Sequence, residues 1–181
     1  MKEIYEKKGY LIENFRLFHL HDAQGMDVEY HYHEFCKILF LLSGAGSYFV
    51  EGNRYALKAG DVVLVGSQCV HIPEFEAGLP YERVIIYVSP EFIEKQSTQD
   101  GDLRECFSGK QGHVFRPDDS QREVLLEQIR LLEETLSEDG YGRTILSNGI
   151  VLRILVEIGR GLQDEKGRMP KPLMPTSRRI L

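Results

Sequence analysis

His31 and His33 stand one residue apart, and Lys37 follows at the head of the apolar run Ile38–Leu42. Side chains two residues apart on an extended chain share a face, so these three nitrogen-bearing groups should converge on one side of a strand. Neutral imidazoles are ligands for transition metals. A lysine ammonium within ~5 Å of a dication is a like charge that weakens such a site unless the amine gives up its proton. It attracts a carboxylate, phosphate or polyol oxygen instead. The spacing therefore offers a metal, a small organic molecule or neither. Glu34 has the opposite parity to His33 and is expected to face outward.

The elements that must position these residues are mostly short strands. Leu11–His21 alternates loosely, with Phe15, Leu17 and His19 on one side and Arg16, Phe18 and Leu20 on the other, which predicts a strand covered on both faces. His19 and His21 repeat the alternating spacing but have no third partner close by, and are expected near solvent at a strand end. Cys36–Ser43 reads as a buried strand closed by Gly44-Ala45-Gly46. Ser47–Val50 is expected to pair with Arg54–Leu57 across Glu51-Gly52-Asn53. Val62–Val65, Val70–Phe75 (interrupted by Pro73), Arg83–Val88 and His113–Arg116 complete the set. Many short strands with glycine turns and no helices between them point to an antiparallel sandwich or barrel. Tyr48, Tyr55, Tyr87 and Arg83 could line its inside, although tyrosines on strands are most often packing residues.

A short helix opens at Phe92–Lys95, with Ser89 as N-cap and Pro90 at the first helical position. From Asp118 the period changes. Leu125, Ile129, Leu132 and Leu136 form one apolar stripe on a helix ended by Asp139-Gly140, and a second helix runs from about Arg143 to Leu162. The second is apolar over so wide an arc that it must bury two faces. One should meet the first helix and the barrel, and the other a second subunit, with Leu152 and Leu155 at that interface. Residues 164–181 are rich in Pro, Gly and basic residues, which is linker composition, and Met1–Tyr10 reads as a polar arm.

The 181 residues carry 22 Lys and Arg against 28 Asp and Glu, a net charge of -6 without a basic stripe before the last few residues, so the chain as it stands is a poor nucleic-acid binder. Cys36, Cys69 and Cys106 are odd in number and lack a Cys-x-x-Cys pair, which fits free thiols in a reducing cytoplasm. No apolar run approaches the ~20 residues of a membrane helix, and the N-terminus lacks a signal-peptide core.

The stretch from Gly25 through His31 and His33 to Gly44 resembles the first motif of the cupin superfamily, and Gly60 followed by His71 resembles the second. The likeness implies a small β-barrel in which His31, His33 and His71 face inward and hold a divalent metal. The fourth ligand of that pattern, a Glu, is here Lys37, and Gly66, Gln68 and Phe75 also depart from the second motif. Three arrangements stand open: a divalent transition metal on the three histidines; an organic-ligand pocket without metal, using His31, His33, Lys37 and His71; or histidines hydrogen-bonded at a strand end with Lys37 reaching out to solvent. The second is the preferred reading.

The order of the whole chain is similar to the N-terminal domain of AraC-type bacterial transcription regulators. The residues that carry the likeness are the arm, His-Tyr-His at 31–33, the hairpin around Gly44 and Gly52, Gly60-Asp61-Val62-Val63-Leu64, His71, Tyr81–Ile86 and the two helices after Pro117. The resemblance implies a mainly β fold with α: a cupin-like antiparallel β-barrel (double-stranded β-helix) over residues 11–116 behind an arm at 1–10. Two antiparallel α-helices follow, a dimerisation hairpin at 117–163, and then a linker at 164–181. The expected function is effector sensing and homodimerisation in the cytoplasm, with no membrane contact. DNA would be reached only through a C-terminal domain that this sequence does not include. The rival is a stand-alone metal-dependent cupin enzyme, an oxygenase or isomerase.

Overall fold

The computed structural model describes residues 6–7, 9–22, 29–164 and 169–173. Ten strands come first: β1 (Glu6–Lys7), β2 (Phe15–Asp22), β3 (His31–Tyr32), β4 (Cys36–Ser43), β5 (Ala45–Val50), β6 (Asn53–Lys58), β7 (Val62–Val65), β8 (His71–Glu74), β9 (Tyr81–Val88) and, after α1 (Pro90–Gln96) and a 3-10 turn at Leu103–Phe107, β10 (Val114–Phe115). Helices α2 (Asp119–Ser137) and α3 (Arg143–Gln163) end the ordered series. The strands form two five-stranded sheets, β1-β3-β8-β5-β6 and β10-β7-β4-β9-β2. All described pairings are antiparallel except β1 with β3. This is the mainly β, cupin-like barrel with two following helices that the resemblance implies.

The second sheet is buried on both faces, which is why its strands read as unbroken apolar runs. Along β4, Cys36, Ile38 and Phe40 join a core shared with α2 and α3, whereas Leu39 and Leu41 join a second core between the two sheets. On β9, Val84, Ile86 and Val88 face the helices and Ile85 faces the other sheet. β2 behaves as its alternation predicts: Phe15 and Leu17 pack on the helical side, Phe18 and Leu20 on the barrel side. His19 is not at a strand end. It is paired with Val84 in mid-ladder, and its two ring nitrogens lie 2.5 Å from Glu133 of α2 and 2.6 Å from Glu82 of β9.

Local chemistry sets the boundaries. The β5–β6 hairpin turns on two residues, Glu51 and Gly52, both at positive φ (48° and 79°), one fewer than the sequence suggests, so Asn53 belongs to the strand. Ser89 caps α1 and Pro90 occupies its start. Asp118 and Gln121 close a reciprocal capping box at α2. At the far end of α3, a Cβ on Gly161 would run into the Phe115 ring, so the helix approaches β10 through its missing side chain. Buried Asp61 takes a two-pronged ion pair from Arg116 at 2.7 and 2.8 Å, fixing β10 against the turn before β7.

Two expectations change. Leu155 is wholly buried among core residues of its own chain, so it does not belong to an uncovered face of α3. That face carries Ile145, Leu146 and Val156 exposed, with Leu152 half-buried beside them. Of the segment read as linker, Met169 packs on the helical-side core and Leu173 donates its N–H to the Arg54 carbonyl at the β6 edge (2.6 Å). Residues 174–181, residues 1–5 and Gly25 lie outside the described residues.

Candidate functional site

Parity delivers Lys37 to the inside of the barrel. It alternates with Ile38 along β4, pairs in register with Val65 on one side and Tyr87 on the other, and therefore shares the inward face of Leu39 and Leu41. Lys37 is 6% exposed, which removes the arrangement in which it reaches out to solvent. Its Nζ donates to the Tyr48 hydroxyl at 2.9 Å and lies 5.6 Å from that ring's centre. No carboxylate pairs with it among the described residues.

Three histidines stand beside this pair. His31 on β3 and His71 on β8 are cross-strand partners, with ring centres 4.4 Å apart, and the His33 ring lies 5.0 Å from each. Their ligand nitrogens all fall within 4.8 Å of one another, and all three residues are buried. The Nδ1 atoms of His31 and His71 lie 2.8 and 2.9 Å from the carbonyls of Glu29 and Cys69, so each Nδ1 carries the proton and each Nε2 the lone pair. Tyr48 connects the two groups, its ring parallel to that of His71 at 6.1 Å. Phe35 stacks on His33 at 4.5 Å, and Tyr87 stands 4.2 Å from Phe35, closing an aromatic wall. Glu34 is exposed, as its parity requires.

The electrostatics follow from burial. Loss of water, then the charge of Arg83, pushes the Lys37 amine down to about 7. Burial, then the nearby Lys37, pushes His71 down to about 2, so this ring is neutral at any physiological pH. Burial raises the Tyr48 phenol well above its ordinary range and keeps it a proton donor. Arg83 is itself buried and bonded to Asp22 at 2.9 Å. The inside of the barrel thus holds amine, guanidinium, imidazole and phenol, with the guanidinium balanced by Asp22.

The imidazole donor set fits a transition metal. All three rings are buried, two are fixed by backbone carbonyls in the ligating tautomer, and His71 Nε2 is buried without a hydrogen-bond partner among the described residues. Lys37 is the discordant member, because a charged amine there opposes a dication. His31, His33 and Lys37, named by spacing, and His71, named through the likeness to the second cupin motif, are therefore brought together; Tyr48, set aside as a packing residue, joins them, and Arg83 is buried on the inward face of β9. For Tyr48 a signal existed in the hairpin, where it alternates with Val50 towards the inside. Strand β1, the described part of the arm, runs parallel beside β3 with Glu6 opposite His31, so the arm borders the site.

A family model described as the AraC-like ligand binding domain matches residues 17–155. No curated protein matches the chain. Among solved structures, a Cupin 2 conserved barrel domain protein from Salinispora arenicola is 18% identical, with 49% of this chain and 76% of that chain covered at a TM-score of 0.39. A DMSP lyase from Ruegeria pomeroyi is 20% identical over 42% of this chain and 39% of its own, at 0.38. A polyketide cyclase from Streptomyces resistomycificus is 14% identical over 41% and 54%, at 0.37. Likeness at this level brings no substrate to this chain.

Proposed function

Because the chain belongs to the family of AraC-like ligand-binding domains, we propose that its barrel senses a small acidic effector, bound at Lys37, His31, His33 and His71. The observation that carries this reading is the buried Lys37 amine, hydrogen-bonded to Tyr48 and paired with no acid among the described residues. A buried cation without a counter-charge costs stability, and an anionic ligand offsets that cost. The effector works by population shift: it biases the arrangements of arm, barrel and dimer by its difference in affinity for them, and by no more. Control of transcription would be exercised by a DNA-binding domain joined beyond the linker, in a cytoplasmic homodimer. In this reading the chain is a sensor and not an enzyme.

A second reading is favoured by the buried Nε2 of His71, which has no hydrogen-bond partner among the described residues. A divalent transition metal held by His31, His33 and His71 would supply a Lewis acid for binding an oxygen ligand or for enzymatic chemistry. Metal analysis of purified protein, with thermal-shift screening of small carboxylates and phosphates on wild type and Lys37→Met, separates the two. The sensor reading expects metal well below one equivalent and an acid-dependent shift that the variant loses. Equal shifts in both proteins would remove Lys37 from the mechanism. Stoichiometric metal, lost in His71→Ala, would favour the second reading.

A further inference from the structure

We propose that Lys37 binds its effector covalently and reversibly, as an imine with a small 2-oxo acid. This rests on the sensor reading above and names the ligand class of that site. Amines become effective carbonyl nucleophiles when they are desolvated, and Lys37 meets that condition, buried on the inward face of β4 beside Leu39 and Leu41. The groups gathered around it supply the rest. The Tyr48 hydroxyl, 2.9 Å from Nζ, stands where a carbonyl oxygen must gain a proton and later leave as water. The guanidinium of Arg83 is balanced by Asp22 and His71 is neutral, but no acid is paired to Lys37 among the described residues, which suits a ligand carrying a carboxylate next to its carbonyl.

The reaction balances without redox. The Nζ lone pair forms a C–N bond to the carbonyl carbon as the C=O π pair moves to oxygen. Oxygen takes a proton from Tyr48, and the nitrogen returns one to the phenolate. Tyr48 then protonates the carbinolamine hydroxyl, which leaves as water while the nitrogen lone pair forms C=N, and the nitrogen gives its remaining proton back to the phenolate, leaving a neutral imine on Lys37. Ligand release is the same sequence in reverse, with water as nucleophile.

The test uses glyoxylate and pyruvate with cyanoborohydride on the whole chain, followed by peptide mass analysis. The expected result is one carboxymethyl or carboxyethyl group on Lys37, formed at least ~10-fold faster than on the exposed lysines, as expected of an activated amine. Lys37→Met should lose that adduct, and Tyr48→Phe, which keeps the amine, should form it at least ~10-fold more slowly, a lower bound for lost general-acid assistance. Glycolate and lactate, which lack the carbonyl, are the parallel arm, read by thermal shift. If 2-oxo acids and their hydroxy analogues raise the melting temperature alike and no Lys37 adduct is trapped, the imine is overturned while the sensor reading stands. If other acids bind but no 2-oxo acid does, the imine is again overturned alone. If no acid of any kind shifts the protein, both fall.

Discussion

Lys37 is the residue at which the cost of the site can be measured. Its amine is pushed from an ordinary 10.5 down to about 7 by burial and by Arg83. Between those two values the unfolded chain holds a proton that the folded chain has given up. Stability should therefore rise as pH increases from about 7 towards 10.5, with a slope of at most about 1.4 kcal/mol per pH unit. Below about 7 both states are protonated and the penalty for burying the charge is fully present. Urea denaturation at pH 7 and pH 9 should show wild type gaining on Lys37→Met across that interval, because methionine fills similar space without titrating. The same pH slope in both proteins would mean that the amine is solvated in the folded state. Neighbouring His71 does not blur the measurement, since its pKa of about 2 keeps it neutral throughout that range.

The elements are held in register by a few polar ties set among apolar layers. The tightest is the Asp61–Arg116 pair, in which a carboxylate with no exposure receives both prongs of the guanidinium and the Lys58 N–H as well. It joins the turn before β7 to the end of β10, just where the chain leaves the barrel for α2. Removing one member of a buried pair leaves the other partly uncompensated, so Asp61→Ala should cost about 3 kcal/mol, against about 1 kcal/mol for loss of the Asp118 cap. Chemical denaturation of the two variants compares them directly, and equal losses would show that Arg116 finds water without penalty. His19, between Glu82 and Glu133, ties β2 and β9 to α2 in the same way, but at a half-exposed position where the contribution is small.

At the scale of the molecule, α3 has an inner face sunk in the core and an outer face without cover among the described residues. Ile145, Leu146 and Val156 are exposed, and surface grooves of about 520 and 490 Å³ run along the same helix, meeting at Leu152. We expect a second copy to occupy this face, with Leu152 rather than Leu155 at the contact. Sedimentation should show a dimer for wild type and a monomer for Leu152→Glu that keeps its melting temperature. A wild type that stays monomeric at high concentration would remove the dimer from the proposed mechanism. Leu155→Glu makes no such distinction, because a carboxylate in the core unfolds the chain.

Much of this protein was legible in the residue order. Alternation and glycine turns identified most of the strands, with errors of a few residues at their ends. The likeness of the Gly60–His71 stretch to a known motif pointed to His71, whereas the 3.6 period marked both long helices and the spacing of His31, His33 and Lys37 marked three of the groups that meet inside the barrel. These are local properties, fixed by backbone geometry within a few residues. What only the tertiary structure decided is what each residue faces. Lys37 could as well have reached solvent, and it is the placement of β5 across the barrel from β4 that puts Tyr48 against it, with no acid paired to it among the described residues. Leu152 and Leu155 look alike in an apolar helix, yet packing on the sheet buries one completely and leaves the other at the rim. Sequence carries the period of a strand or helix; partners distant in the chain, and the water they exclude, are set only when the sheets close.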